Sequence, residues 1–264
     1  DASGWLDIAI ASEVLAGRGS PEGALWVDFS MVNLDGFIPS RPNHIPEDYA
    51  RKPMLPERPV SVKNTAHAIN GGVIIDERGA STVPGLYAAG EVAAGPHGAD
   101  RLGGGMVTNC QVFGARAGRY AAEFAKNAAR HDLRQQAAET LGGRLARLGR
   151  GQENVENVLR ALQTETSRHL MVVRDAEGLA MLLQQTEELQ HERLPQTYTG
   201  RPMAMRRVLE VENSLLTAQL MAKAALLRQE SRGSHFRRDY PRRDDDQFGR
   251  NILLRWQHGE LLGA

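Results

Sequence analysis

Residues 84–118 of this 264-residue chain read PGLYAAGEVAAGPHGADRLGGGMVTNCQVFGARAG. The side chains able to do chemistry there are Glu91, His97, Asp100 and Arg101, and they are followed by Gly103, Gly104 and Gly105. An arginine presents a planar fork that grips a carboxylate through two parallel N–H bonds. A glutamate accepts hydrogen bonds from hydroxyl groups. Glycines let backbone N–H groups approach a ligand closely, and a helix N-terminus favours negative charge. A second histidine, His67, stands shortly before Asn70-Gly71-Gly72. Near neutral pH such a group donates a hydrogen bond and gains affinity for an anion when charged. On the residues alone, a structural role beside the turn outweighs a chemical one for His67. A tight strand-to-helix connection without a ligand is likewise the alternative for the glycine cluster, and the strict G-x-G-x-x-G dinucleotide fingerprint is absent.

Several elements must position these groups. Pro84-Gly85 marks a turn, and Leu86–Ala89 is apolar enough for a short strand that Gly90-Glu91 ends. The loop with His97, Asp100 and Arg101 follows. From Met106 the spacing predicts a helix that buries Val107, Cys110, Val112, Phe113 and Ala117. Upstream, Val60–Lys63 reads as extended, Val73–Ile75 as a strand, and Asp76–Gly79 as a turn. Strand, polar loop, glycine cluster and helix, in that order, suit a cofactor with an electron-rich ring.

The run Pro84-Gly85-Leu86-Tyr87-Ala88-Ala89-Gly90-Glu91, followed by His97-Gly98-Ala99-Asp100-Arg101-Leu102-Gly103-Gly104, resembles one flavoprotein family. It is the family of succinate dehydrogenase and fumarate reductase flavoproteins and of L-aspartate oxidase. Glu230-Ser231-Arg232-Gly233-Ser234-His235, then Arg237, Asp239, Tyr240, Pro241 and Arg243-Asp244-Asp245, resemble its C-terminal segment. The resemblance implies FAD as cofactor. It assigns Gly90, Glu91 and the backbone of Gly104, Gly105, Met106 and Val107 to the flavin. Arg101 is implied as the carboxylate clamp, and His67, before its Gly-Gly pair, as the second substrate group. Asp100 stands where the family has asparagine, and Gly105-Met106-Val107 where it has Asn-Ser-Leu. Both departures bear on substrate choice more than on the flavin.

The fold class implied is α/β plus all-α. Residues 1–60 are expected to be the end of a capping domain and a proline-rich return segment, and 61–125 the C-terminal part of the FAD-binding domain. A helical bundle over 126–230 and a C-terminal extension over 231–264 complete the expectation. The family's motif for the ADP half of FAD is not in these residues, so a chain or fragment carrying the N-terminal half is an expected partner. The implied function is part of an FAD-dependent oxidoreductase that moves a hydride between flavin and a small carboxylic acid. The alternatives are a fumarate-reductase-like subunit that passes electrons to an iron–sulfur protein, and a degenerate homologue without flavin. Arg232, His235 and Arg237 are expected to be structural ion-pair residues.

Composition limits the other possibilities. Lysine plus arginine and aspartate plus glutamate both number 32, so the formal net charge is zero and nothing global attracts nucleic acid. A single cysteine, Cys110, forbids an intramolecular disulfide and any CxxC metal cluster. No apolar run reaches transmembrane length and no signal peptide is visible, so a cytoplasmic protein, at most peripheral to a membrane complex, is expected. Near the start, Trp5 to Leu15 fits a helix stopped by Gly17 and Gly19, and Ala24–Phe29 a strand. Prolines 39, 42, 46, 53, 56 and 59 forbid long regular elements between 36 and 60. Helical periodicity predicts helices over 112–126, 153–168, 177–194 and 205–229, the third ended by Pro195, packed as an antiparallel bundle. Methionines 171, 181, 203, 205 and 221 are expected as core filler.

Overall fold

The computed structural model describes residues 2–28, 30, 58–101, 103–129, 134–257 and 260–263. The proline-rich stretch lies almost wholly outside the described residues. The chain divides into two compact units, residues 1–65 and 66–264. In the first, helix α1 (Ala2–Glu13) runs into a wide turn over Val14–Arg18, where Gly17 leaves helical geometry with φ of 77°. Strands β1 (Leu25–Val27) and β2 (Val60–Val62) pair antiparallel, Trp26 opposite Ser61. The Asn64 amide donates to the Asp7 carbonyl at 2.7 Å and ties β2 back to α1.

The second unit begins with a small parallel pair, β3 (Val73–Ile74) and β4 (Ala93–Ala94). Gly72 makes the pairing possible. Its φ is 151°, and a Cβ there would lie 2.2 Å from the Val92 carbonyl oxygen, so only glycine allows this approach. The expected turn at Asp76–Gly79 forms, with the Gly79 N–H on the Asp76 carbonyl at 3.0 Å. The strand expected at Leu86–Ala89 is reduced to a single bridge, Tyr87 to Ala80. Helix α2 (Gly105–Asn127) follows, and α3 (Arg134–Ala146) is a separate helix. The α2 expectation needs correction on burial. Ala117 is buried, but Val107 and Val112 are exposed and so is Cys110. The buried position in the first turns is a polar one, Asn109.

The main core belongs to α4 (Val155–His169), α5 (Ala176–Glu188) and α6 (Pro202–Leu227). Asn154 caps α4 by accepting the Glu156 N–H, and Asp175 caps α5 by accepting the Gly178 N–H. Val158, Leu194, Val208, Val211 and Leu215 meet in one cluster, and Leu179, Leu182, Ala222 and Ala225 in a second. The small residues Ala218, Ala222 and Ala225 on the buried face of α6 let its neighbours pack closely. Pro195 does not end α5. The helix widens over Leu189–Arg193 first, and Pro195 then sits in the opening turn of a 3-10 segment, where its missing N–H costs nothing. Met203 and Met181 are exposed rather than core filler. No helix among the described residues is long and apolar enough to cross a membrane.

The C-terminal segment closes over the bundle. Strand β5 (Val173–Arg174) pairs parallel with β6 (Phe236–Arg237). Glu230 and Arg237 are both fully buried. Glu230 accepts from Arg228 at 2.5 Å, Arg232 at 2.7 and 3.0 Å and the Asp244 N–H at 2.8 Å. Burial alone would push its carboxyl up, but these donors together hold it below the usual carboxylate range. Arg237 pairs with Asp239 through both oxygens and donates to the Ala225 carbonyl at 2.7 Å. His235 Nδ1 lies 2.8 Å from Arg174 Nη1, and its Nε2 lies 3.2 Å from the Arg228 carbonyl. An arginine can only donate and a carbonyl can only accept, so the ring is neutral with its proton on Nε2. Burial pushes the Arg174 guanidinium down to about 10, with the charge of Arg237 adding to the effect. The expected ion-pair residues are therefore structural, and His235 contributes as a neutral member.

A pH dependence follows. Burial, with the Arg174, Arg228 and Arg237 charges, pushes His235 from 6.5 down to about 4. Between those values the unfolded chain binds a proton that the folded chain refuses. Stability therefore falls as pH drops from 6.5 to 4, by about 3 kcal/mol in full, and this group contributes no further loss below. Urea midpoints at about pH 7.5 and pH 5, for the wild type and His235→Gln, check this. The variant should show the shallower pH slope, and equal slopes would contradict the assignment.

Candidate functional site

The sequence-derived site residues fall on three segments of the second unit. His67 is exposed in the extended stretch that leads to β3. Gly90 and Glu91 form a short 3-10 turn, Gly90–Val92, just before β4. Arg101 is half-buried at the end of the loop that precedes α2, and Asp100 Oδ1 accepts its N–H at 2.9 Å.

These segments meet around the start of α2. The Glu91 carboxylate accepts the Ile69 N–H at 2.8 Å, which ties the 90–92 turn to the stretch carrying His67. The Gly90 Cα lies against α2, since a Cβ there would stand 3.5 Å from Cys110 Sγ. Gly105, the first residue of α2, packs on the His97 ring and on Arg101 Cγ, with a Cβ position 3.6 and 3.9 Å from them. The structure thus brings Glu91 to the His67 segment and Arg101 to the helix start. Met106 is half-buried and Val107 is 67% exposed, so both leave the helix start open.

Three features fit a flat polar ring. Gly104 precedes α2 with φ of 78° and no side chain caps the helix, so its first N–H groups lack a side-chain acceptor. Gly103 and Gly104 have open space where a side chain would stand. Two buried polar groups beside this opening have no hydrogen-bond partner: His97 Nε2, and both amide atoms of Asn109, which is 4% exposed. Leaving such groups dry costs about 1–3 kcal/mol each, so they are poised for a ligand that both donates and accepts. Asn109 escaped the sequence reading because it sits in an otherwise apolar helical run. His97 was visible only as part of a motif.

Comparison with known proteins adds two family matches. The FAD binding domain matches residues 9–107, and the fumarate reductase flavoprotein C-terminal domain matches residues 159–261. The flavoprotein-type relative in Methanothermobacter marburgensis, part of its CoM/CoB fumarate reductase, is 32% identical over 259 residues, covering 93% of this chain and 45% of the relative. L-aspartate oxidase of Caulobacter vibrioides is 36% identical over 197 residues, covering 74% of this chain and 31% of the relative. Among solved structures, a variant of E. coli quinol fumarate reductase superposes with a TM-score of 0.80 at 25% identity, over 99% of this chain and 47% of that one. The chain spans less than half the length of these relatives.

Proposed function

The chain belongs by homology to the family of fumarate reductase and succinate dehydrogenase flavoproteins and L-aspartate oxidase, and on that premise we propose that it supplies the carboxylate-binding side of an FAD-dependent oxidoreductase site. The observation that carries this reading is the gathering of three segments at the start of α2. One holds His67, one holds Glu91 and one holds Arg101. In this reading 1–60 is the end of the capping domain and 61–125 the C-terminal part of the FAD-binding domain. The bundle spans 126–230, and 231–264 packs on the junction.

Bound FAD supplies a two-electron carrier that exchanges a hydride with a carbon of the acid. The protein's part is orientation and charge. Arg101 grips one carboxylate in its planar fork, and His67 donates to the second carboxylate or to a carbonyl oxygen. Two cationic donors on one small acid stabilise negative charge that develops on its oxygens as the hydride moves. Glu91 holds hydroxyls of the ribityl or ribose part of the cofactor. The Gly90 turn, Gly104 and Gly105, and the backbone of Met106 and Val107, face the ring. The exposed apolar side chains Val107 and Val112 suit burial against the cofactor and against polypeptide that carries the ADP-binding motif. The proton donor and that motif come from outside these residues.

The M. marburgensis relative is named as one subunit of its enzyme. That favours a second reading in which electrons pass on to an iron–sulfur protein, in a cytoplasmic or membrane-peripheral assembly. Copurification of an iron–sulfur polypeptide checks it.

Glu91→Gln tests the flavin reading. Glutamine keeps the oxygen that accepts the Ile69 N–H but loses the charge. Charge-assisted hydrogen bonds contribute about 1.5–3 kcal/mol, so FAD affinity in the complete assembly should fall by about tenfold or more. Flavin absorbance titrations of both versions measure it. Unchanged affinity removes Glu91 from the flavin site, and a wild-type assembly that stays colourless with FAD sinks the flavoprotein reading.

A further inference from the structure

We propose that Gly233 and Ser234, at the tip of the C-terminal strap, are positioning residues that set the Arg101 loop for substrate. The inference rests on the carboxylate role of Arg101 given above. The contact itself is direct. The Ala99 carbonyl, two residues before Arg101, accepts both the Ser234 N–H at 3.1 Å and the Ser234 hydroxyl at 2.9 Å. Gly233 lies so close to the same loop that a Cβ on it would stand 2.6 Å from the Ala99 oxygen and 2.9 Å from Asp100 Cβ. Its φ of 55° adds a second reason for glycine. Asp100 in turn accepts the Arg101 N–H. The backbone from 99 to 101 is therefore fixed by the strap on one side and by its own aspartate on the other.

The strap is stiff enough to do this. Gly233 and Ser234 form a two-residue turn closed by reciprocal hydrogen bonds between Arg232 and His235, at 2.8 and 2.9 Å. Each of those two residues is anchored in turn. Arg232 is held by Glu230 and by Asp245, both at 2.7 Å, and His235 by Arg174 and the Arg228 carbonyl. A charged network this buried holds its geometry closely, because each displaced partner leaves an unpaired charge. Its stability contribution alone would not need a tip that reaches the Arg101 loop. The tip gives the network a use at the site: it transmits the rigidity of the bundle to a loop that otherwise has glycines at 98, 103, 104 and 105. Sequence could not show this, because Ser234 and Ala99 are 135 residues apart.

The test uses the complete FAD-loaded assembly and two variants. Ser234→Ala removes one of two hydrogen bonds to Ala99 without crowding. Gly233→Ala forces the loop away. Dicarboxylate affinity, read from the perturbation of the flavin spectrum, should weaken by about fivefold for Ser234→Ala, the size of one neutral hydrogen bond, and by at least about tenfold for Gly233→Ala. FAD content and thermal midpoint should stay at wild-type values for Ser234→Ala, which a general loss of structure would not allow. Hydrogen exchange at residues 97–101 should quicken in both. Arg101→Lys, titrated alongside, separates the two claims. If Arg101→Lys loses affinity and both strap variants bind and exchange like wild type, the strap proposal is overturned and the site reading stands. If Arg101→Lys also binds like wild type, the site reading fails and the proposal with it.

Discussion

Arg101→Lys should lower kcat/KM on a small dicarboxylate by about 30- to 1000-fold, which corresponds to a loss of about 2–4 kcal/mol in transition-state stabilisation. The charge survives this change, so a simple electrostatic role would leave activity nearly intact. The planar fork does not survive, and lysine cannot hold both carboxylate oxygens in one plane. The structure sets the side chain in the loop that opens α2, with Cγ packed near Gly105. A shorter, tetrahedral donor there loses geometry as well as one hydrogen bond. His67→Ala should cost less if the ring only orients the acid, and comparably if it also meets developing charge. Steady-state assays with an artificial electron acceptor and a panel of dicarboxylates, amino acids and hydroxy acids give both numbers. Unaltered kcat and KM for Arg101→Lys on the true substrate would refute the assignment.

Glu230→Ala should destabilise the bundle and strap by about 3–5 kcal/mol, the usual cost of removing one partner from a buried charged cluster. Glu230 is fully buried and offers its two oxygens to Arg228, Arg232 and the Asp244 N–H. Without it two guanidinium groups lose their shared acceptor in a site with little water. Glu230→Gln keeps the shape and loses the charge, so it separates cavity from electrostatics. Because its folded carboxyl is held below the ordinary range, the stabilisation is present above the unfolded value, about 4.3, and fades as pH falls through the lower folded value. Urea denaturation of wild type and both variants at about pH 7 reads the effect. A midpoint for Glu230→Ala within error of wild type would contradict the network's role.

Much of the helical part was legible because local period and packing agree. Val158, Leu162, Leu179, Leu182, Val208 and Leu215 are apolar at helical spacing and all are buried. Pro195 misled because a proline marks a break only in an α-helix, and the chain had already left α geometry at Leu189. The face of α2 misled for a different reason. Val107 and Val112 look like core, but their helix opens onto a site rather than onto the bundle. The strand expected at Leu86–Ala89 has the right residues, yet strands need partners, and only Tyr87 finds one. Of the site, the motifs marked Glu91, Arg101 and His67, since family resemblance travels with local sequence. Asn109, and the grip of Ser234 on Ala99, were illegible. The first is a polar residue in an apolar run, and the second depends on tertiary contact alone.

The most direct measurement is a crystal structure of the FAD-loaded assembly with a bound dicarboxylate. The account predicts one carboxylate in the fork of Arg101, the second carboxylate or a carbonyl oxygen on the His67 ring, and the flavin against the Gly104–Val107 backbone. Arg101 and His67 on opposite sides of the protein, or a dicarboxylate bound away from both, would contradict it.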